Sequence, residues 1–466
     1  MYKEQIDAYI DSKREEILED VKALVRINSQ RGAALPGKPY GEGPAAAVKK
    51  AGEMMEKYGL TVKNYDNYVI TGDFGPGEKE LDILAHLDVV PVTEDWTVTQ
   101  PFDPVERDGK LYGRGTADDK GPAIAALYAI RAVKELNIPI KKSIRLILGA
   151  DEECGSSDLA YYYGIEKEAP CTFTPDADFP VINMEKARLA KHFSASFEEA
   201  KLPAVCFFQS GDKVNVVPAK AQAVIAGLSE EELVAAVEKT KEDTGILFQY
   251  EKREEGFYLT GKGTAAHAST PEAGNSALTA LLHLIRLLPL SNSEGNRLLK
   301  AAAKLFPHGD TEGKALQVAQ RDEVSGALTM NLGILKLENN TLEGEFDCRA
   351  PLCASDENLT TVMREAFAKE GITMEEGLLV PAHYVPEDSR FIQILLESFE
   401  RYTGRKGECL CTGGGTYVHE LERGVAFGCM MEDVDNHMHG DDEFMVIDTL
   451  LMSAKMFADV IVKLCC

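Results

Sequence analysis

No run of about 18 apolar residues occurs anywhere in the sequence, so a membrane-spanning helix is not expected. The first 25 residues, MYKEQIDAYIDSKREEILEDVKALV, lack the apolar core of a secretory signal, and a cytoplasmic location is the expectation. No CxxC pair exists among the ten cysteines, which are scattered or, at Cys465 and Cys466, adjacent. Buried thiols in a reducing compartment fit that pattern better than a disulfide framework or a thiolate metal store. Positive charge is in deficit: 50 Lys and Arg face 76 Asp and Glu, and the formal charge of -26 repels phosphate backbones and anionic headgroups. Neither nucleic acid nor a membrane is an expected partner. Fixed-period repeats and low-complexity tracts are also missing, and 39 Gly with 20 Pro are too few to indicate disorder.

What is present is an ordinary globular composition in 466 residues, more than one hydrophobic core usually spans, so two domains are expected. Residues 1–27 carry apolar positions near helical spacing and predict one helix; 44–58 and 121–136 predict two more. The apolar runs LDILAHLDVV (81–90) and SIRLILGA (143–150) read as strands, and strand, helix, strand at this spacing indicates an α/β sheet. From about residue 186 the texture changes. Predicted strands AKHFSASF, AQAVIAGL and GFYLTGKG alternate with helices at 230–241 and 276–288, as in an inserted α+β domain. The sheet-like passage at 327–350 leads to Arg349, and a segment ending at His383 returns the chain to the first domain. The expected division is 1–185 with 383–466, and 186–382.

Polar residues follow each apolar run, where ligands bind in α/β sheets. His86 and Asp88 are two apart on a predicted strand and share a face, which suits a metal ligand and its orienting carboxylate, although taken alone the pair reads better as a structural strand-end histidine. Asp118 and Asp119 stand in a Gly-rich loop before a helix, where acids also serve as caps. The Gly-Arg-Gly opening has no GK[ST] after it, and acids occupy the place that an anion would take in a phosphate loop. Asp151, Glu152 and Glu153 follow SIRLILGA directly. Three adjacent acids at a strand end are electrostatically costly unless cations gather there, and a surface turn is the alternative. FTPDAD, with Asp176, and HMHGDDE, with His437 and His439, complete the set; the latter lacks the alternation and central Gly of an EF-hand loop.

Together, HLDVVP, GRGTADDKG, DEECGSSD, TPDAD and HGDDE resemble, in order and spacing, the dimetal peptidases that include acylases, desuccinylases, carnosinases and PepV-type dipeptidases. The resemblance covers essentially the whole chain. GDKVNVVPA, GKGTAAHASTPEAGNSA, LTMNLG, FDCRAP and GGGTY extend it toward the PepV-type branch. It implies a two-domain fold: a phosphorylase/hydrolase-like α/β catalytic domain with a central mixed sheet, and an inserted α+β lid. It implies two divalent ions, Zn²⁺ foremost with Mn²⁺ or Co²⁺ as alternatives, held by His86, Asp118, Glu153, Asp176 and His439, with Asp118 bridging.

The resemblance further implies Glu152 as general base, Asp88 as orienter of His86 and His267 as oxyanion donor. Arg349 and Asn215, with the backbone at Gly414 and Gly415, are implied as the clamp on the substrate's terminal carboxylate. Asp119 and Asp178 are expected to cap or to support the ligands. The implied activity is hydrolysis of unblocked dipeptides, β-alanyl ones among them, by a monomer whose lid closes over substrate; the alternative is a deacylase of N-acyl amino acids. Relatives often continue from GGGTY to an arginine where this chain has His419.

Overall fold

The computed structural model describes residues 2–198 and 201–466. The chain forms two compact units, one of Met1–Met184, His383–Cys411 and Gly415–Cys466, the other of Glu185–Ala382 with Thr412–Gly414. Thr412–Gly414 thus stands apart from its sequence neighbours, tied to its own unit by the Lys186 N–H on the Thr412 carbonyl and by Arg349 Nη1 on the Gly413 carbonyl.

The first unit is built on a mixed nine-stranded sheet. Along it lie Thr61–Tyr65, Val69–Phe74, Ser143–Gly149, Lys79–His86, Cys171–Thr174, Gly424–Ala426, Val181–Glu185 and His383–Tyr384, with Cys409–Thr412 added beside Val181–Glu185. The four from Ser143–Gly149 to Gly424–Ala426 are parallel. Parallel strands are covered on both faces and therefore read as continuous apolar runs; Leu81, Ile83, Leu84 and Ala85 are buried beside Ile144, Leu146, Ile147 and Leu148. The two apolar runs of the sequence become neighbours, paired from Leu81–Ile144 to His86–Gly149. Helices Lys120–Glu135 and Ile447–Cys465 pack together against this sheet. Gly149 ends its strand where no side chain fits: a Cβ there would lie 2.0 Å from Tyr417 Oη.

The helix expected over residues 1–27 is two, Lys3–Ser12 and Arg14–Val25, separated at Lys13 with φ -101° and ψ 6°. The Ser12 hydroxyl donates to the Tyr9 carbonyl at 2.6 Å, the local competition by which serine weakens a helix.

The second unit is an eight-stranded antiparallel sheet, ordered Phe248–Arg253, Gly256–Lys262, Lys220–Ala226, Ala204–Ser210, Thr329–Glu338, Thr341–Ala350, Ala187–Ser196 and Thr373–Met374. Its core is separate from that of the first unit. Ser229 and Glu232 form a reciprocal capping box at the start of helix Glu230–Thr244. The passage at 327–350 is a hairpin whose tip, Asn339 and Asn340, takes φ of 50° and 59°, values asparagine tolerates. No helix among the described residues is long and apolar enough to cross a membrane.

Candidate metal centre

Three neighbouring parallel strands deliver the first side chains. His86 is the last residue of Lys79–His86, Glu152 and Glu153 sit in the short turn after Ser143–Gly149, and Asp176 follows Cys171–Thr174 by two residues. These are the carboxyl ends of the strands, the edge where α/β sheets bind ligands. Asp118 precedes the helix Lys120–Glu135, and His439 stands at φ 62° in the loop before Phe444–Val446.

These residues make two triads that share one member: His86, Asp118 and Asp176, and Asp118, Glu153 and His439, each with its ligand atoms within 4.8 Å of one another. His86 Nε2 lies 2.8 Å from Asp118 Oδ1 and 3.5 Å from Asp176 Oδ2. His439 Nε2 lies 2.8 Å from Asp118 Oδ2 and 3.4 Å from Glu153 Oε1. The two Asp118 oxygens therefore face different histidines. His86 Nε2, Asp118 Oδ1 and Glu153 Oε1 are buried without a partner in hydrogen-bond geometry. Orphaned buried polar atoms are costly, and one nitrogen with two carboxylates on each side is a donor set that fits a divalent cation such as Zn²⁺ or Mn²⁺.

The supports differ from those expected. His86 Nδ1 lies 3.1 Å from the Asp88 carbonyl oxygen and 3.4 Å from its carboxylate. The Asp88 carboxylate mainly accepts the N–H groups of Glu152 (3.1 Å) and Glu153 (3.1 Å). It holds the acidic turn as well as facing the histidine. Asp119 does not cap its helix; its Oδ2 accepts the His86 N–H at 3.0 Å, because the Asp119 side chain faces the neighbouring strand end. The Asp118–Asp119 peptide is cis. His437, a competitor of His439 in sequence, has Nδ1 3.2 Å from the Asp441 carbonyl and joins neither triad.

Crowded carboxylates set the electrostatics. Burial alone would lift Asp118, but hydrogen bonds with His439 and His86 hold it below the usual carboxylate range. Asp118 and Glu153 push His439 up to about 11. Burial disfavours charge on His86, yet Asp118, Asp176 and Asp88 keep it well above an ordinary histidine. Burial and then the Asp118 charge push Glu153 up to about 7 and Asp176 up to about 6. Glu152 is lifted well above its ordinary range by burial; His86 opposes the rise and Asp176, Glu153 and Asp118 add to it. Its carboxylate enters no hydrogen bond or ion pair among the described residues, so it is available to exchange a proton.

In the second unit, the backbones of Asn215 and His267 run side by side: Ala268 N–H donates to the Asn215 carbonyl at 2.9 Å. His267 Nδ1 lies 2.7 Å from Ser269 Oγ and 3.2 Å from the Ser269 backbone nitrogen. Arg349 lies on Thr341–Ala350, with Nε and Nη2 on the Asp347 carboxylate (2.6 and 2.8 Å) and Nη1 on the Gly413 carbonyl (2.7 Å). Two of its five N–H groups remain. The Gly414 N–H is already given to Thr412 Oγ1 at 3.0 Å, and Gly415 belongs to the first unit. Sequence reading missed Glu443 and Arg114, a buried pair beneath Asp118.

A family model described as peptidase family M20/M25/M40 matches residues 83–463. The Bacillus subtilis (strain 168) protein YtjP is 35% identical over 460 residues, 97% of this chain and 98% of that protein. The beta-Ala-Xaa dipeptidase of Lactobacillus delbrueckii subsp. lactis is 32% identical over 459 residues, 97% of each chain. Among solved structures, the aminoacylhistidine dipeptidase from Vibrio alginolyticus superposes with a TM-score of 0.59 at 14% identity, covering 97% of this chain and 96% of that one. Human carnosine dipeptidase 1 gives 0.58 at 15%, covering 100% and 99%. At such identities these two structures speak for the fold.

Proposed function

Because the chain belongs to peptidase family M20/M25/M40, we propose that it is a dipeptidase cleaving unblocked dipeptides, β-alanyl ones included. Two divalent ions would serve it, one held by His86, Asp118 and Asp176, the other by Asp118, Glu153 and His439. The observation that carries the reading is the pair of triads with Asp118 in common, with the buried Glu152 carboxylate in the turn beside Glu153. The beta-Ala-Xaa dipeptidase among the relatives supports the substrate class. Zn²⁺ is the first choice of ion on donor type, and the enzyme is assigned to the cytoplasm as a monomer.

When bound, such a cation pair supplies Lewis acidity, making water more acidic and the scissile carbonyl more electrophilic. The rest of the chemistry belongs to side chains. Asp118 offers one oxygen to each side, which only a carboxylate can do. Glu152 takes the proton of the attacking water and gives it to the leaving amine, and its raised proton affinity suits the second task. Asp88 fixes Glu152 and Glu153 through their backbone N–H groups. His267 is assigned as donor to the developing oxyanion, and Arg349 with Asn215 as the readers of the substrate's terminal carboxylate.

A reader of that carboxylate admits only one residue after the cleaved bond. Rates for a free dipeptide, its N-acetylated form and the corresponding tripeptide test the proposed preference for unblocked dipeptides. The free dipeptide is expected to be fastest; an N-acetylated form or tripeptide cleaved as quickly would contradict the assignment.

A further inference from the structure

A carboxylate outside both triads lies where the loops bearing Asp118 and His439 diverge. Strands Lys110–Tyr112 and Phe444–Val446 are paired antiparallel, with Phe444 opposite Tyr112. One step further the Gly113 N–H donates to the Glu443 carbonyl at 3.0 Å. From that junction one segment continues to Asp118, and the other, followed backward, reaches His439 after four residues.

The Glu443 side chain turns into the first segment. Its Oε1 accepts the N–H groups of Gly115 (3.0 Å), Ala117 (2.9 Å) and Asp118 (3.3 Å). Its Oε2 pairs with Arg114 Nη1, and Arg114 Nη2 donates to the carbonyl of Gly440, the residue after His439, at 2.8 Å. Both side chains are buried, Glu443 at 0% and Arg114 at 2% exposure. Backbone N–H groups converging in such a curl form an anion-binding concavity; the intervening Thr116 N–H goes to the Gly113 carbonyl instead. Gly115, at φ 90°, permits the curl. The chain fills its own concavity with Glu443.

We propose that Glu443, partnered by Arg114, is the positioning residue that sets Asp118 and His439 at a fixed spacing, so that its loss weakens the Asp118–Glu153–His439 triad more than the His86–Asp118–Asp176 triad, which shares only Asp118 with it. This rests on the dimetal reading. The selectivity follows from how the ligands are held. His86 ends a strand paired on both sides and Asp176 follows another, whereas the His439 side chain is 52% exposed on a loop. That loop's other ties, from Asp442 to Thr97 and Val98 and from Asp441 to Thr93, do not reach Asp118.

Titrating the metal-stripped protein with Zn²⁺ against a competing chelator reads each affinity separately. Wild type is expected to take two equivalents; uptake of none would end the dimetal reading itself. Glu443→Gln is expected to weaken one site about 10- to 100-fold and the other, which shares only Asp118, distinctly less. Glu443→Gln combined with Arg114→Met, which removes the unpaired buried guanidinium, is expected to give the same selective loss in a protein that folds more readily. Unchanged affinities, or equal weakening of both sites, would overturn the inference while leaving the dimetal reading intact. In stripped wild type the amides of Gly115, Ala117 and Asp118 are expected to exchange slowly with solvent; rapid exchange would overturn it without any variant.

Discussion

Glu152 is the side chain whose replacement separates binding from chemistry. Glu152→Ala is expected to retain both metal equivalents and to lose about 10²- to 10⁴-fold in kcat, the range for removing a general base. Metal content by elemental analysis with steady-state kinetics checks it, and turnover at the wild-type rate would remove Glu152 from that role. Asp88→Asn is expected to lower kcat about 10- to 100-fold, because the new amide NH₂ would face one of the two backbone N–H groups the carboxylate now accepts. A change confined to metal affinity at the His86 side, with kcat intact, would restore the simpler role of histidine orienter. The sequence placed Asp88 two residues from His86 and so pointed to that role. Its other partners lie across the sheet, and nothing in the spacing of one strand reports which strand will pair beside it. Glu443 was illegible for the same reason: its partners, the Arg114 guanidinium and the backbone N–H groups of Gly115, Ala117 and Asp118, lie more than 300 residues earlier in the chain.

The strand ends and loops, taken as elements, explain why four of the five candidate ligands lie at positions the sequence marks as polar, although only the family resemblance singled them out as ligands. His86, Glu153 and Asp176 each follow an apolar run, and Asp118 precedes a helix, so polarity changes sharply at each site. His439 has no such frame and needed the HGDDE motif. Element packing also predicts a pH effect. In the metal-free protein Glu153 and Asp176 hold protons up to about 7 and 6, while in the unfolded chain both ionise near the usual carboxylate values. Between about pH 4.5 and 7 the folded state therefore binds more protons, and stability falls as pH rises. Asp158, also pushed up to about 7 by burial, acts in the same direction with or without metal. The gap in Tm between loaded and stripped protein is expected to widen from pH 5 to pH 7.5, since cations compete with those protons. A gap that narrows over this range would contradict the assignment of Glu153 and Asp176.

For the molecule as a whole, the sequence suggests a boundary near residue 186, where predicted strands begin to alternate with helices, and a return near His383; the two compact units change over at Met184–Glu185 and Ala382–His383. The return of Thr412–Gly414 to the second unit was not legible, because three residues held by Lys186 and Arg349 carry no compositional signal. Arg349→Ala is expected to raise KM for a free dipeptide, with a smaller effect on a substrate amidated at its carboxyl terminus. Equal effects on both would mean that Asp347 is the residue Arg349 serves.

The central claim is that two cations bound in adjoining triads drive the hydrolysis. It is tested most directly by assaying a dipeptide with stripped protein as Zn²⁺, Mn²⁺ or Co²⁺ is added back stepwise. Activity is expected to be absent at first and to reach its plateau only at two equivalents per chain. Full activity in the stripped protein, or a plateau at one equivalent, would contradict the claim.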